Sequence, residues 1–186
     1  ILSPKDLCLV EYLPQLIDAG VDSLKVEGRT KSLYYVSAVA KTYRAAIDEI
    51  MKGNRNDLHK YFLELQKVGN RGYTTGFALG DNNGDSYSYK LSSGLAGADF
   101  LFEFHNRKES AYLVKIKNKV LVGDEVEIIT PSEQFRAKIL EIEDEKGFTL
   151  EVGNTNAEVY VKLSQEPKEW KYAMARTVGV KETACS

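Results

Sequence analysis

Cysteine and histidine are scarce in this 186-residue chain, with two of each. Cys8 and Cys185 lie near opposite ends, so no disulfide framework and no paired-cysteine or cysteine–histidine metal pattern can be written. His59 and His105 are isolated and no HExxH helix is present, so these residues assemble neither a zinc-protease ligand set nor a histidine-based nucleophile relay. No apolar run approaches the roughly 18–20 residues of a membrane helix, and a cytoplasmic setting is the default. Neither charge sign dominates. The 25 Lys and Arg face 27 Asp and Glu for a net charge of −2, which excludes a globally basic nucleic-acid binder. The first residue is Ile, so the lack of a leader says nothing about targeting.

What is present is enough apolar material, 43% of residues, for a packed core of one or two domains. Ser3-Pro4-Lys5-Asp6 reads as a helix start, with Ser3 as cap and Pro4 in the first turn. Leu7, Val10, Leu13, Leu16 and Ile17 follow at helical spacing, Pro14 kinks or restarts the helix, and Gly20 ends it. Val21–Val26 reads as a short strand. A second helix from about Ser32 carries the stripe Tyr35, Val36, Val39, Ala40, Tyr43, Ile47 and Ile50, and a third begins near Asn56. One strand makes no sheet, so the α-β-α-α order reads as the end of a longer α/β chain. Residues 69–97 are rich in Gly, Ser and Asn and read as a connector.

From residue 98 the period becomes two. Ala111–Lys117 alternates, and strands over Val120–Ile129, Phe135–Ile142, Phe148–Val152 and Val159–Leu163 follow at short intervals, predicting a small antiparallel β-barrel. The expected organisation is 1–68 as the end of an α/β domain, 69–97 as connector, 98–165 as barrel and 166–186 as an extension. Trp170–Val180 is either a last strand or an outer wrap.

The densest chemistry lies in Lys25, Glu27, Arg29 and Lys31, at a strand-to-helix turn of the kind where α/β ligand sites form. Arg29 and Lys31 are the candidate substrate-binding residues, since a guanidinium fork suits a carboxylate or phosphate. Lys25 and Glu27 are the candidate catalytic or supporting pair, Glu27 as a brace or a base. The same charges also fit a self-satisfied ion-pair network closing a strand. Of Tyr34 and Tyr35, one is expected to pack inward; the other either stays exposed, where it could stack on a base, or packs into the core as well. Cys8, placed in a first helical turn, has the position of a low-pKa thiol or of a small core residue. Arg71, Lys115, Lys117 and Lys119 are candidate nucleic-acid contacts, the three lysines forming a row that could follow a phosphate backbone or a simply solvated face. No metal ligands are assigned.

Four stretches, taken in order, carry a family resemblance. Lys25-Val-Glu-Gly-Arg-Thr-Lys-Ser-Leu-Tyr-Tyr-Val36, Ser3-Pro-Lys-Asp-Leu7, Asn70-Arg-Gly-Tyr-Thr-Thr-Gly-Phe77 and Val122-Gly-Asp-Glu-Val-Glu-Ile-Ile-Thr-Pro131 resemble the C-terminal part of the collagenase-like peptidase family U32. The resemblance implies the last unit of a TIM-like barrel followed by a small antiparallel β-barrel like the second domain of elongation factor Tu. It implies a peptidase label. For the branch that the Arg-Thr-Lys-Ser-Leu-Tyr-Tyr wording resembles most, it implies prephenate-dependent hydroxylation of the wobble uridine of tRNA, with an iron–sulfur cluster on cysteines upstream of this region. tRNA is then the expected partner, with a peptide substrate or a non-catalytic RNA- or protein-binding role as alternatives. The chain by itself is expected to be inactive and to hold no cofactor.

Overall fold

The computed structural model describes residues 3–80, 87–88 and 97–179. The chain divides between Gly97 and Ala98 into two units.

In the first unit, the segment expected to open a helix is extended instead. Strand β1 (Ser3–Pro4) pairs antiparallel with β4 (Tyr87–Ser88), and β2 (Asp6–Leu7) pairs parallel with β3 (Tyr73–Thr74). The amides of Asp6 and Cys8 donate to the carbonyls of Gly72 and Thr74 at 2.8 and 2.9 Å. Tertiary pairing thus overrides a local helix signal. A 3-10 turn at Val10–Tyr12 leads into α1 (Leu13–Asp18), where Pro14 sits in the first turn and costs no hydrogen bond. The helix closes with Gly20 in the left-handed region, its amide on the Ile17 carbonyl and that of Val21 on Leu16.

Residues 21–28, expected to contain a strand, join no ladder among the described residues, and Val21, Leu24 and Val26 are exposed. A parallel strand is stable with hydrogen-bonded neighbours on both sides and cover on both faces, and the described residues offer this segment neither.

Helix α2 (Leu33–Met51) begins where Ser32 adopts an extended backbone and its hydroxyl accepts the Tyr35 amide at 3.2 Å. Its buried stripe is Tyr34, Ala38, Val39, Thr42, Ala46 and Ile50. This is rotated from the expected one, leaving Val36 and Ala40 exposed and Tyr35, Tyr43 and Ile47 half-buried. Tyr34 turns in because its hydroxyl reaches the Lys67 carbonyl, while the small Ala38 and Ala46 take inward positions that a hydrophobicity scale ranks low. Helix α3 (His59–Gln66) completes a core of Val10, Leu13, Val39, Ala46, Ile50, Leu58 and Leu65, with Cys8 at its edge.

The second unit contains β5 (Phe100–Lys108), β6 (Ala111–Ile116), β7 (Val120–Leu121), β8 (Glu125–Ile129), β9 (Gln134–Glu143), β10 (Thr149–Leu150), β11 (Val152–Gly153), β12 (Glu158–Leu163) and β13 (Met174–Thr177). The order β9–β12–β6–β5–β13–β8 returns to β9, giving a closed six-stranded antiparallel barrel that leaves no free edge around its circumference. Tyr112, Val114 and Ile116 face inward from β6, and Val159, Val161 and Leu163 from β12. On β9 the inward set Ala137 and Ile139 resumes at Ile142, and the ladder with β12 shifts register at Leu163 opposite Ile139. An extra residue there re-aims the strand, and Leu140 is exposed.

The sixth stave, β13, lies beyond residue 165, where the barrel was expected to stop. Its sequence, Met-Ala-Arg-Thr, does not alternate, because Arg176 is wholly buried with its Nε donating to Glu127 Oε2 at 2.7 Å. The short pair β7–β11 closes over Gly153, where an added Cβ would stand 2.9 Å from Val120 Cγ2.

Candidate functional site

A cavity of about 400 Å³ opens in the first unit. One wall is the turn that follows the unpaired 21–26 segment. Lys25, Glu27, Arg29 and Lys31 all line the cavity, so the four residues singled out by their spacing do meet at one place. Gly28 sits within the turn. Its carbonyl accepts the Lys31 amide at 3.0 Å, and a Cβ there would press on Val36 Cγ2 at 3.0 Å. Glu27 braces the turn. Its Oε1 accepts the Arg29 amide at 2.9 Å, and its Oε2 lies 3.9 Å from Lys25 Nζ. The Lys31 ammonium sits 4.8 Å over the Tyr35 ring. Arg29 is exposed, and among the described residues its guanidinium forms no ion pair.

The rest of the lining comes from elements that local sequence reasoning does not bring together. Tyr35 and Tyr43 project from α2, Tyr73 from β3, and Cys8 and Leu9 from the segment after β2. The β2–β3 ladder sets Arg71 at the rim. Its Nη2 and Nε donate to Asp6 Oδ1 at 2.7 and 3.2 Å, and its amide donates to Oδ2 at 3.2 Å. Arg71, a candidate nucleic-acid contact by sequence, is thus a cavity residue held by a carboxylate. Asp6, Tyr43 and Tyr73 went unrecognised as site residues, while Tyr35 was weighed only as a stacking residue. The available signal was that Asp6, Tyr35 and Tyr73 each fall inside one of the motifs.

The tyrosine wall is uncharged at neutral pH. Burial pushes the Tyr43 and Tyr73 phenols well above their ordinary range, and Cys8 beside each adds to the shift. Tyr35 is raised by burial and by the Asp6 charge. Tyr73 donates to the Leu65 carbonyl at 2.9 Å. Cys8 does not lie in a helical turn, and of the two readings offered for it, low-pKa thiol or small core residue, the second holds. It is buried, 3.8 Å from the Tyr43 hydroxyl, and burial raises its thiol pKa. Cationic rim, apolar floor and neutral phenols together suit a small anionic ligand with a ring or apolar body.

The barrel lysines are placed differently from one another. Lys117 Nζ lies 2.8 Å from Glu103 and Lys115 Nζ 3.6 Å from Glu158, while Lys119 is exposed beyond the end of β6. His105 bridges the same carboxylates, 3.2 Å from Glu103 and 4.0 Å from Glu158. His59 is exposed and 2.9 Å from Glu11.

The iron–sulfur cluster that the resemblance implies does not fit the described residues. Cys8 is the one cysteine among them, and they hold no group of three or more His, Cys, Asp or Glu arranged to take a metal. Cys185 lies outside the described residues. No helix among them is long and apolar enough to cross a membrane.

A three-helix unit presenting a charged turn over a tyrosine wall, followed by a closed six-stranded barrel, is a two-part arrangement, and family comparison divides the chain the same way. The model of peptidase family U32 matches residues 1–88, and that of the peptidase family U32 C-terminal domain matches residues 98–176. The chain belongs to peptidase family U32. It is 36% identical over 155 residues to the tRNA hydroxylation protein P of Escherichia coli K12, covering 82% of this chain and 34% of that protein. To the protein of the same description from Haemophilus influenzae it is 34% identical over 153 residues, covering 81% and 33%. A Porphyromonas gingivalis protein described as a collagenase is 28% identical over 138 residues, covering 71% and 33%. The chain therefore spans about a third of the length of these relatives. Among solved structures, the C-terminal domain of a Geobacillus thermoleovorans putative U32 peptidase matches at 26% identity and a TM-score of 0.38, covering 42% of this chain and 99% of that one.

Proposed function

We propose that this chain is the C-terminal part of a cytoplasmic protein that acts in hydroxylation of the wobble uridine of tRNA. The observation that carries the reading is the convergence of Arg29, Lys31, Lys25 and Glu27 on one cavity faced by Tyr35, Tyr43 and Tyr73, in a chain with relatives described as tRNA hydroxylation proteins at 34–36% identity. Arg29 and Lys31 hold an anion, either a dicarboxylate such as prephenate or an RNA phosphate. Glu27 and Lys25 shape the turn that presents them, with Glu27 as the available base.

In this reading the first unit supplies the last strand and helices of a TIM-like barrel whose other strands belong to the full-length protein. The exposed apolar segment 21–26 supports it, since a strand waiting for parallel neighbours has this character. The six-stranded barrel is the counterpart of elongation factor Tu domain 2. An iron–sulfur cluster would take its ligands from outside the described residues, and no chemical step is assigned to it.

The experiment is deletion of the gene for the full-length protein, followed by mass spectrometry of tRNA nucleosides. Loss of the hydroxylated wobble uridine is expected. Intact hydroxylation, together with cleavage of denatured collagen by the purified full-length protein, would replace this reading with the peptidase one that the collagenase relative suggests.

A further inference from the structure

The barrel carries one aromatic residue in a conformation that aromatic residues avoid. Trp170–Ala173 is a tight turn closed by the Ala173 amide on the Trp170 carbonyl at 3.0 Å, and its third residue, Tyr172, has φ +62°. A turn with φ > 0 at that position calls for glycine or asparagine. The same barrel follows the rule at two comparable turns. Leu121–Asp124, closed at 3.2 Å, has Gly123 at φ +93°, and Asn154–Ala157, closed at 3.0 Å, has Asn156 at φ +69°. Tyr172 breaks the rule and gains no packing in return, since it is 79% exposed. Strain of this kind persists where the surrounding structure fixes it and often where the side chain is used.

The surroundings do fix it. Trp170 packs on the barrel core, Ala173 is buried, and the Lys168 amide is tied to Glu133 Oε1 at 2.7 Å. Lys168 and Lys171, both exposed, precede Tyr172 in the same segment, and among the described residues neither ammonium forms an ion pair. Glu169 is the opposing charge in the segment, while Glu166 is engaged by Arg107 at 2.7 Å. A protein-docking anchor sits among residues poor in lysine. An exposed aromatic side chain in one segment with exposed lysines is instead the pattern of a stacking site for an unpaired base, with ammonium groups available to the adjoining phosphates. Elsewhere the barrel is less suited to a polyanion. Lys115 and Lys117 face carboxylates, and the groove bounded by Glu109, Glu141, Glu143, Asp144 and Glu145 sets five acidic side chains against Lys108 and Lys162.

We propose that the Lys168–Tyr172 turn is a stacking platform for single-stranded RNA, with the Tyr172 ring taking a base. The choice of RNA rests on the tRNA reading above, but the test needs no turnover. The intact 186-residue chain is titrated against a fluorescently labelled single-stranded RNA of mixed sequence at low salt, with anisotropy as readout, and each variant is melted in parallel. Tyr172→Phe should bind like the wild type. Tyr172→Ala should bind about tenfold or more weakly, the size expected for loss of one stacked base. Tyr172→Gly should lose affinity to the same degree while melting at a higher temperature than the wild type, because glycine relieves the backbone. Replacing Lys168 and Lys171 together by alanine should make binding less steep in salt. Wild-type affinity in Tyr172→Ala and Tyr172→Gly, or no RNA binding by the wild type, would overturn the proposal. Failure of the cavity variants to affect hydroxylation would leave it untouched.

Discussion

At the scale of single residues, burial and charge make opposite demands on the two units. In the first, Tyr43 and Tyr73 are half-buried phenols with raised folded-state pKa values. A raised pKa contributes stability that is fully present below the unfolded tyrosine value of about 10 and is lost as pH rises through the folded one. Ultraviolet titration of tyrosinate should therefore show a late class among the 11 tyrosines, and the late class should ionise together with unfolding. In the second unit, partial burial works against ionisation of Glu103, but hydrogen bonds from Lys117 and His105 outweigh it and hold the carboxyl below its usual range. A depressed carboxylate stabilises above the unfolded value of about 4.3 and ceases to as pH falls through the folded one. Acid melts of wild type and Glu103→Gln should thus differ at neutral pH and converge at low pH. A difference that persists into acid would refute this account of Glu103. The charged turn was legible at this scale because four ionisable side chains in seven residues stand out. The tyrosine wall was not, since Tyr35, Tyr43 and Tyr73 look like core residues until the β2–β3 ladder brings Tyr73 across to the other two.

At the scale of elements, period served well where one face is buried. The strands β6, β9 and β12 lie close to where alternation placed them, and α2 starts at Ser32, near which it was expected to begin. Two departures have physical causes. Val21–Val26 has strand composition, but a strand is a property of pairs, and no described residue pairs with it. Strand β13 falls within Trp170–Val180, which the sequence left as either a last strand or an outer wrap, because a buried arginine in mid-strand, which polarity scales place outside, breaks the alternation that would have decided between them. That arginine makes a strong prediction. Arg176→Ala would leave the Glu127 carboxylate, whose Oε1 also accepts Gln134 Nε2 at 3.0 Å, without its cation, at a cost of about 3–5 kcal/mol. Arg176→Met with Glu127→Leu should cost much less, as seen in chemical denaturation. Equal losses would mean that packing, and not charge, is what Arg176 supplies.

At the scale of the whole molecule, all six staves and their core fall between Ala98 and Gly179, of which the C-terminal family model covers residues 98–176. Residues 98–179 expressed alone should unfold in a single cooperative transition, checked by thermal circular dichroism, whereas a fragment stopped at residue 165 would lack β13 and fail to close. The first unit's exposed Val21, Leu24, Val26 and Leu33 contrast with that closure and accord with a chain spanning about a third of its relatives' length. The central claim, that the Lys25–Lys31 turn is an anion-binding edge serving RNA hydroxylation, is tested most directly in the full-length protein. Cells lacking the gene are complemented with wild type or with Arg29→Ala/Lys31→Ala at matched expression, and hydroxylated wobble uridine is quantified in their tRNA. The double variant should restore less than about a tenth of the wild-type level, as expected when charge-assisted contacts of about 1.5–3 kcal/mol each are removed. Full restoration would reduce the turn to a structural brace.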